Sequence, residues 1–258
     1  MHADTAATLG QVALQGGILL FCAFIQSTVG FAFSLFSNSL LLMAGLALPE
    51  TVMLSLLGSA FQRLLMTSSL RQHVAWREIL PLSAVSLLTL PLGVSLLWLC
   101  SKQSLAFAKI CLGSLLLVVL LVQWFAKVPP RERVARGWGW LAAASSGVLG
   151  GFANIGGPPL VLWIHAHDWT AEKIRVTLPA MTMVLVPVQL VLMLGTFGTA
   201  VLPSARQALV VAPAIVVGTG VGLTVGKRLS QAQLRTVAFV LLLVTCLACI
   251  LEPVLRGR

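Results

Sequence analysis

The chain has 258 residues, 58% of them hydrophobic and only 9% charged, with a mean hydropathy of +0.99 and a formal net charge of +10. No soluble globular domain has this balance, so the composition specifies a polytopic helical membrane protein. Nucleic-acid binding does not explain the charge, because Lys and Arg lie between apolar runs rather than in one patch.

Residues 1–11 contain Asp4 and no Lys or Arg, so a cleavable secretion signal is not expected there. The first apolar run, residues 12–48, would measure about 55 Å as one straight helix. A hydrocarbon core is about 30 Å thick, so the run must break. Polar groups gather in its middle: Ser27, Thr28, Gly30, Ser34, Ser37 and Asn38. Pro49 and Glu50 then start a helix that continues to Ser69, with Pro tolerated and Glu favourable in a first turn. Arg71, His73, Trp76 and Arg77 mark an interfacial loop. Two further apolar runs follow, 79–99 and 105–126, separated by a short polar turn.

The basic stretch 127–137 divides the chain into a first repeat, 1–126, and a second, 138–258. The second opens with another overlong run, 138–166, about 44 Å if straight. Thr170 is placed to cap the next helix. Apolar runs at 174–194, 205–225 and 234–251 complete the pattern. Each half is thus one broken run followed by three plain ones. At residue level, Val29-Gly30-Phe31-Ala32 matches Gly150-Gly151-Phe152-Ala153, and Pro91-Leu92-Gly93 matches Gly220-Val221-Gly222.

The second break carries the strongest local signal. Residues 147–159 hold five glycines, Asn154 and the pair Pro158-Pro159 inside an apolar run. Gly and Pro disrupt helix interiors, and irregular backbone at membrane depth survives only inside protein or beside a wet cavity. A loop over 150–157 and a half-helix from about Pro158 follow, with the positive end of that half-helix suited to an anion. The other reading of these glycines is a kink that lets two helices pack closely.

Loop charges decide between two topologies. If both broken runs cross, eight crossings result and the loop Lys and Arg divide nine against seven; if both dip in and return, six crossings divide them eleven against five. Positive residues mark the cytoplasm, so the second topology is expected. The fold class is then all-α, with two inverted repeats, each a re-entrant helical hairpin followed by three transmembrane helices. Both termini lie outside the cytoplasm.

The expected substrate site joins the two breaks. Ser27, Thr28, Gly30, Ser34, Ser37 and Asn38 come from the first, and Asn154, Gly156, Gly157 and Pro158 from the second. Gln189 and Gln62, both mid-helix, extend it. Arg63 either snorkels to the interface or reaches the substrate. No carboxylate lies deep in an apolar run, so no proton coupling is expected. The five cysteines read as small apolar fillers, Cys246 and Cys249 included despite their C-x-x-C spacing. The four histidines show no metal-binding arrangement, so neither a metal nor a cofactor is expected.

With these motifs in place, the layout resembles the sulfite exporter TauE/SafE family. The residues that carry the resemblance are Gly147-Val-Leu-Gly150-Gly-Phe-Ala-Asn154-Ile-Gly156-Gly157-Pro158-Pro159-Leu160, the first-half partner around Gly30, and the Pro213, Gly218 and Gly222 helix. The resemblance implies export of sulfite or a small organosulfonate across a bacterial-type inner membrane. Phe31, Phe33 and Phe36 replace expected glycines in the first half and suggest a partly aromatic, asymmetric pocket. The expected partners are a small anion and the lipid bilayer, with a homodimer as the open alternative to a monomer. Competing functions are a proton-coupled organic-anion transporter, an intramembrane enzyme and a membrane scaffold. The enzyme lacks a nucleophile–base arrangement within the apolar runs.

Overall fold

Both long apolar runs break where the polar residues gather, and the chain reverses at each break. The first forms α1 (His2–Val29) and α2 (Phe33–Met43); the second forms α6 (Arg136–Ala153) and α7 (Gly157–His165). Phe21, before the first break, meets Phe36, after it, edge-on at 6.1 Å. In the second hairpin a Cβ on Gly139 would lie 2.9 Å from the Trp163 indole nitrogen. The returning arms have 11 and 9 residues. At about 1.5 Å per residue they are roughly half as long as a hydrocarbon core is thick. This computed structural model describes residues 2–29, 33–69, 71–126, 134–226 and 231–256, so Gly30, Phe31 and most of the basic linker lie outside the described residues.

Three long helices follow each hairpin. They are α3 (Leu48–Ser69), α4 (Trp76–Ser101) and α5 (Leu105–Phe125), then α8 (Ala171–Phe197), α9 (Leu202–Gly226) and α10 (Gln231–Arg256). Ser104 caps α5 and Thr170 caps α8, each accepting from the backbone N–H three residues on. No strand occurs among the described residues. Five stretches are long and apolar enough to cross a membrane, one of which, Glu172–Gly226, runs over both α8 and α9. The apolar part of α1, Gly10–Thr28, is among them, so the inward arm is longer than a shallow dip. Helix α3 is not, because Ser55, Ser59, Gln62 and Arg63 form a polar stripe along it.

Packing joins each half to the other. Helix α4 lies along α6, where Ser86 Oγ donates to the Ala143 carbonyl at 2.8 Å and Thr89 Oγ1 to that of Ala144 at 3.0 Å. Helix α1 lies along α9 in the same way. Both crossings are too close for a side chain at their centres. A Cβ on Gly93 would sit 2.1 Å from the Val148 carbonyl oxygen, and one on Gly218 would sit 2.3 Å from that of Leu20. Helix α5 runs antiparallel to α10: Lys109 near its start pairs with Glu252 at 2.8 Å, and Trp124 near its end meets Phe239 at 5.4 Å.

These contacts correct one expectation. Gly150 and Gly151 do not belong to the loop; α6 stays helical to Ala153, and only 154–156 is irregular. Gly147 and Gly151 are small because α4 presses on them: a Cβ there would lie 2.2 Å from the carbonyl oxygens of Ser86 and Leu90. The match between Val29–Ala32 and Gly150–Ala153 falls, from Gly30 to Ala32, outside the described residues. Gln62 on α3 donates to the Ala23 carbonyl and Gln189 on α8 to that of Gly150, so Ala23 is the contact equivalent of Gly150. At the close crossings the glycine changes helix. Where α6 has Gly147 against Thr89, α1 has Leu20 against Gly218. The match of Gly93 with Gly222 does agree with the packing, since each presses on the hairpin arm beside it.

Candidate functional site

Asn154 ends α6 in the left-handed conformation, φ 55°, the only non-glycine residue with positive φ among those described. Asn adopts this region at lower cost than most residues, which lets one side chain stand at the hairpin tip. Its backbone N–H returns to the Gly150 carbonyl at 2.7 Å. The side chain faces the other half of the chain. Nδ2 donates to Ser34 Oγ and to Ser59 Oγ, both at 3.0 Å, and Oδ1 accepts from Arg63 Nη2 at 3.3 Å. Asn38 Nδ2 donates to the neighbouring Ala153 carbonyl. The tip of the second hairpin is thus held by the return arm of the first and by mid-α3.

A cavity of about 40 Å³ opens beside this junction. Ser34, Ser59, Gln62, Arg63 and Asn154 supply its polar wall, and Phe33, Ile155, Leu178 and Pro179 its apolar wall. Gly157 and Pro158 border it with the first turn of α7. No side chain caps that turn, and Pro158 and Pro159 have no N–H, so Gly156 and Gly157 carry its unpaired backbone donors. Gln62 Nε2 faces away, donating to Ala23, Ser27 and Thr219. Its Oε1 has no partner among the described residues, which leaves an acceptor for a protonated oxyanion or a water.

The other expected site residues stand elsewhere. Ser27 and Thr28 turn their hydroxyls to the carbonyls of Ala23 and Ile25 in their own helix. Ser37 is buried against Ser55, Oγ to Oγ at 2.6 Å. Gln189 holds the Gly150 carbonyl at 2.7 Å and does not border the cavity. Gly156 is held close to α6, where a Cβ would meet Ser146 at 2.7 Å. Arg63 does not snorkel outward; it is half-buried on the cavity wall. Ser59 and Thr182 were missed. Ser59 had a signal, since it lies on one helix face with Ser55, Gln62 and Arg63.

The arrangement presents one guanidinium, hydroxyls and a helix N-terminus to a small enclosed space. That is chemistry for holding an anion. The family model described as Sulfite exporter TauE/SafE matches residues 16–249, nearly the whole chain. The chain belongs to the TauE/SafE family. It is therefore a multi-pass membrane protein of a family that transports sulfur-containing anions, not of an enzyme family. Neither the curated proteins nor the solved structures contain a match to it. In this TauE/SafE chain no group of three or more His, Cys, Asp or Glu among the described residues could hold a metal ion.

Proposed function

We propose that this protein exports a small sulfur oxyanion, sulfite or a compact organosulfonate, from the cytoplasm across an inner membrane. The observation that carries the reading is the convergence of Arg63, Asn154, Ser34 and Ser59 on a cavity of about 40 Å³. One water needs about 10–15 Å³ measured in this way, so the space suits a few waters or one compact anion. Phe33 is the aromatic at the wall, and Phe36 is packed away in the core, which favours sulfite over a bulky sulfonate.

The transport mode follows from the architecture. The halves are inverted repeats, a reading supported by the antiparallel run of α5 against α10, which hold the same place in each half. The end of the bundle where α4 and α8 start carries Arg77, Lys173 and Arg175, and by its positive charge faces the cytoplasm. The anion enters there, is bound beside Arg63, and leaves on the opposite face by alternating access. Membrane potential drives it outward, since each unit charge moved through 100 mV is worth about 2.3 kcal/mol.

Flux in proteoliposomes tests the reading. Sulfite, methanesulfonate, a bulky aromatic sulfonate and acetate are compared at fixed potential, with Arg63→Gln beside the parent. Sulfite is expected to move fastest and Arg63→Gln to slow it. A purified parent protein that carries none of the sulfur oxyanions sinks the reading.

A further inference from the structure

The cavity beside Asn154 has a counterpart that is closed. Gln62 reaches Ala23 and Gln189 reaches Gly150, each across 39 residues of sequence, so both pairs differ by the same shift of 127 (62 to 189, 23 to 150). Applied to the cavity wall, that shift puts Thr51 in place of Leu178 and Ser55 in place of Thr182. It puts Val186 in place of Ser59 and Leu190 in place of Arg63.

This second set is packed shut. Thr51 and Ser55 are fully buried, and Val186 and Gln189 are nearly so. Thr51 Oγ1 has no hydrogen-bond partner among the described residues. A buried hydroxyl without a partner costs stability, and a tightly packed apolar helix is better served there by a methyl group. A face that is dry now and wet in another state needs that hydroxyl.

We propose that Thr51, Ser55, Val186 and Gln189 form the second mouth of the path, and that α3 and α8 part there in the alternate state to release the anion. This rests on the transporter reading above. Inverted halves can exchange conformations about a fixed site, so the packing now seen on one side passes to the other. The two mouths differ in charge. Arg63 stands at the open one and Leu190 at the closed one, so the anion meets that guanidinium only on the open side. Capture is favoured there, and release on the far side does not have to break that contact.

Two variants test the second mouth. Thr51→Phe is expected to bind sulfite in calorimetry as the parent does, while sulfite flux in proteoliposomes is lost. Parent-level flux in Thr51→Phe overturns the proposal. Ser55→Cys is treated with a membrane-impermeant cationic maleimide, whose thioether adduct sulfite does not cleave, added from the face opposite Lys173 and washed away before sulfite is supplied, with the parent as blank. Modification by mass spectrometry and loss of flux are expected. A Ser55→Cys protein that moves sulfite at the parent rate and is never modified overturns the proposal, and decides the matter if Thr51→Phe fails to fold. Failure of the parent to move sulfite strikes the transporter reading instead, while modification of Ser55→Cys still reports the second mouth.

Discussion

Arg63 and Asn154 hold each other across the two halves of the chain, guanidinium Nη2 to amide Oδ1 at 3.3 Å. The same amide keeps Ser34 and Ser59 at 3.0 Å through its nitrogen. A carboxylate at this position would keep the shape but neutralise Arg63 and repel an anion. At an effective dielectric near 20, a unit charge at 4 Å is worth about 4 kcal/mol. Asn154→Asp should therefore weaken sulfite binding by about a hundredfold or more. Asn154→Gly, which tolerates φ 55° and removes only the amide, should cost about 1–3 kcal/mol. Isothermal titration compares them, and parent affinity in Asn154→Asp rules out an anion beside Arg63.

Two helix-interior glycines should behave oppositely. Gly93→Ala drives a methyl into the Val148 carbonyl, and nothing can move but backbone. Overpacking of this kind costs about 1–3 kcal/mol or more, and α4 should part from α6. Gly220→Ala meets nothing within 4 Å and should change stability by less than about 0.5 kcal/mol. Thermal unfolding in detergent separates them, and equal midpoints would contradict the close crossing.

Lys109 and Glu252 join α5 to α10 at 2.8 Å, with side-chain exposures of 8% and 21%. Glu252→Gln leaves a mostly buried cation without its counter-ion. The loss should be about 1–3 kcal/mol, less than for a fully buried pair because Glu252 is a fifth exposed. The double variant Lys109→Met, Glu252→Met should recover most of it. A double-mutant cycle measures the coupling, and strict additivity would mean that the ion pair contributes nothing.

Transport should not require a proton gradient. Among the described residues, no carboxylate borders the cavity. Flux at a clamped potential, with and without a pH difference, should be the same. An absolute need for a pH difference would point to a proton path through residues away from this cavity.

Much of the fold is legible in the sequence because apolar run length and Pro–Gly punctuation are local signals. The helix expected from Pro49 to Ser69 is Leu48–Ser69, and that expected at 105–126 is Leu105–Phe125. Asn154, Ser34 and Arg63 meet as polar residues stranded in apolar helices should, because only one another's company satisfies them. Ser27 and Thr28 looked alike in sequence, yet each is satisfied by a carbonyl three or four residues back. Whether a hydroxyl faces its own helix or a cavity depends on rotation about the helix axis, which composition does not record. For Gly147 and Gly151 the alternative of close helix packing was legible, but the partner was not: their smallness answers to α4, some sixty residues away.

That last point has a consequence for how such a bundle tolerates change. The two close crossings share a clearance between axes, not a residue. On one side the clearance is supplied by Gly147 beneath Thr89, and on the other by Gly218 beneath Leu20. At each layer the atom in the way is a backbone carbonyl: a Cβ at 147 would lie 2.2 Å from that of Ser86, and one at 218 would lie 2.3 Å from that of Leu20. Trimming the facing side chain, as in Gly147→Leu with Thr89→Gly, therefore does not restore the spacing. What the geometry holds constant at these layers is the distance between two main chains, and only a residue without a side chain fits between them.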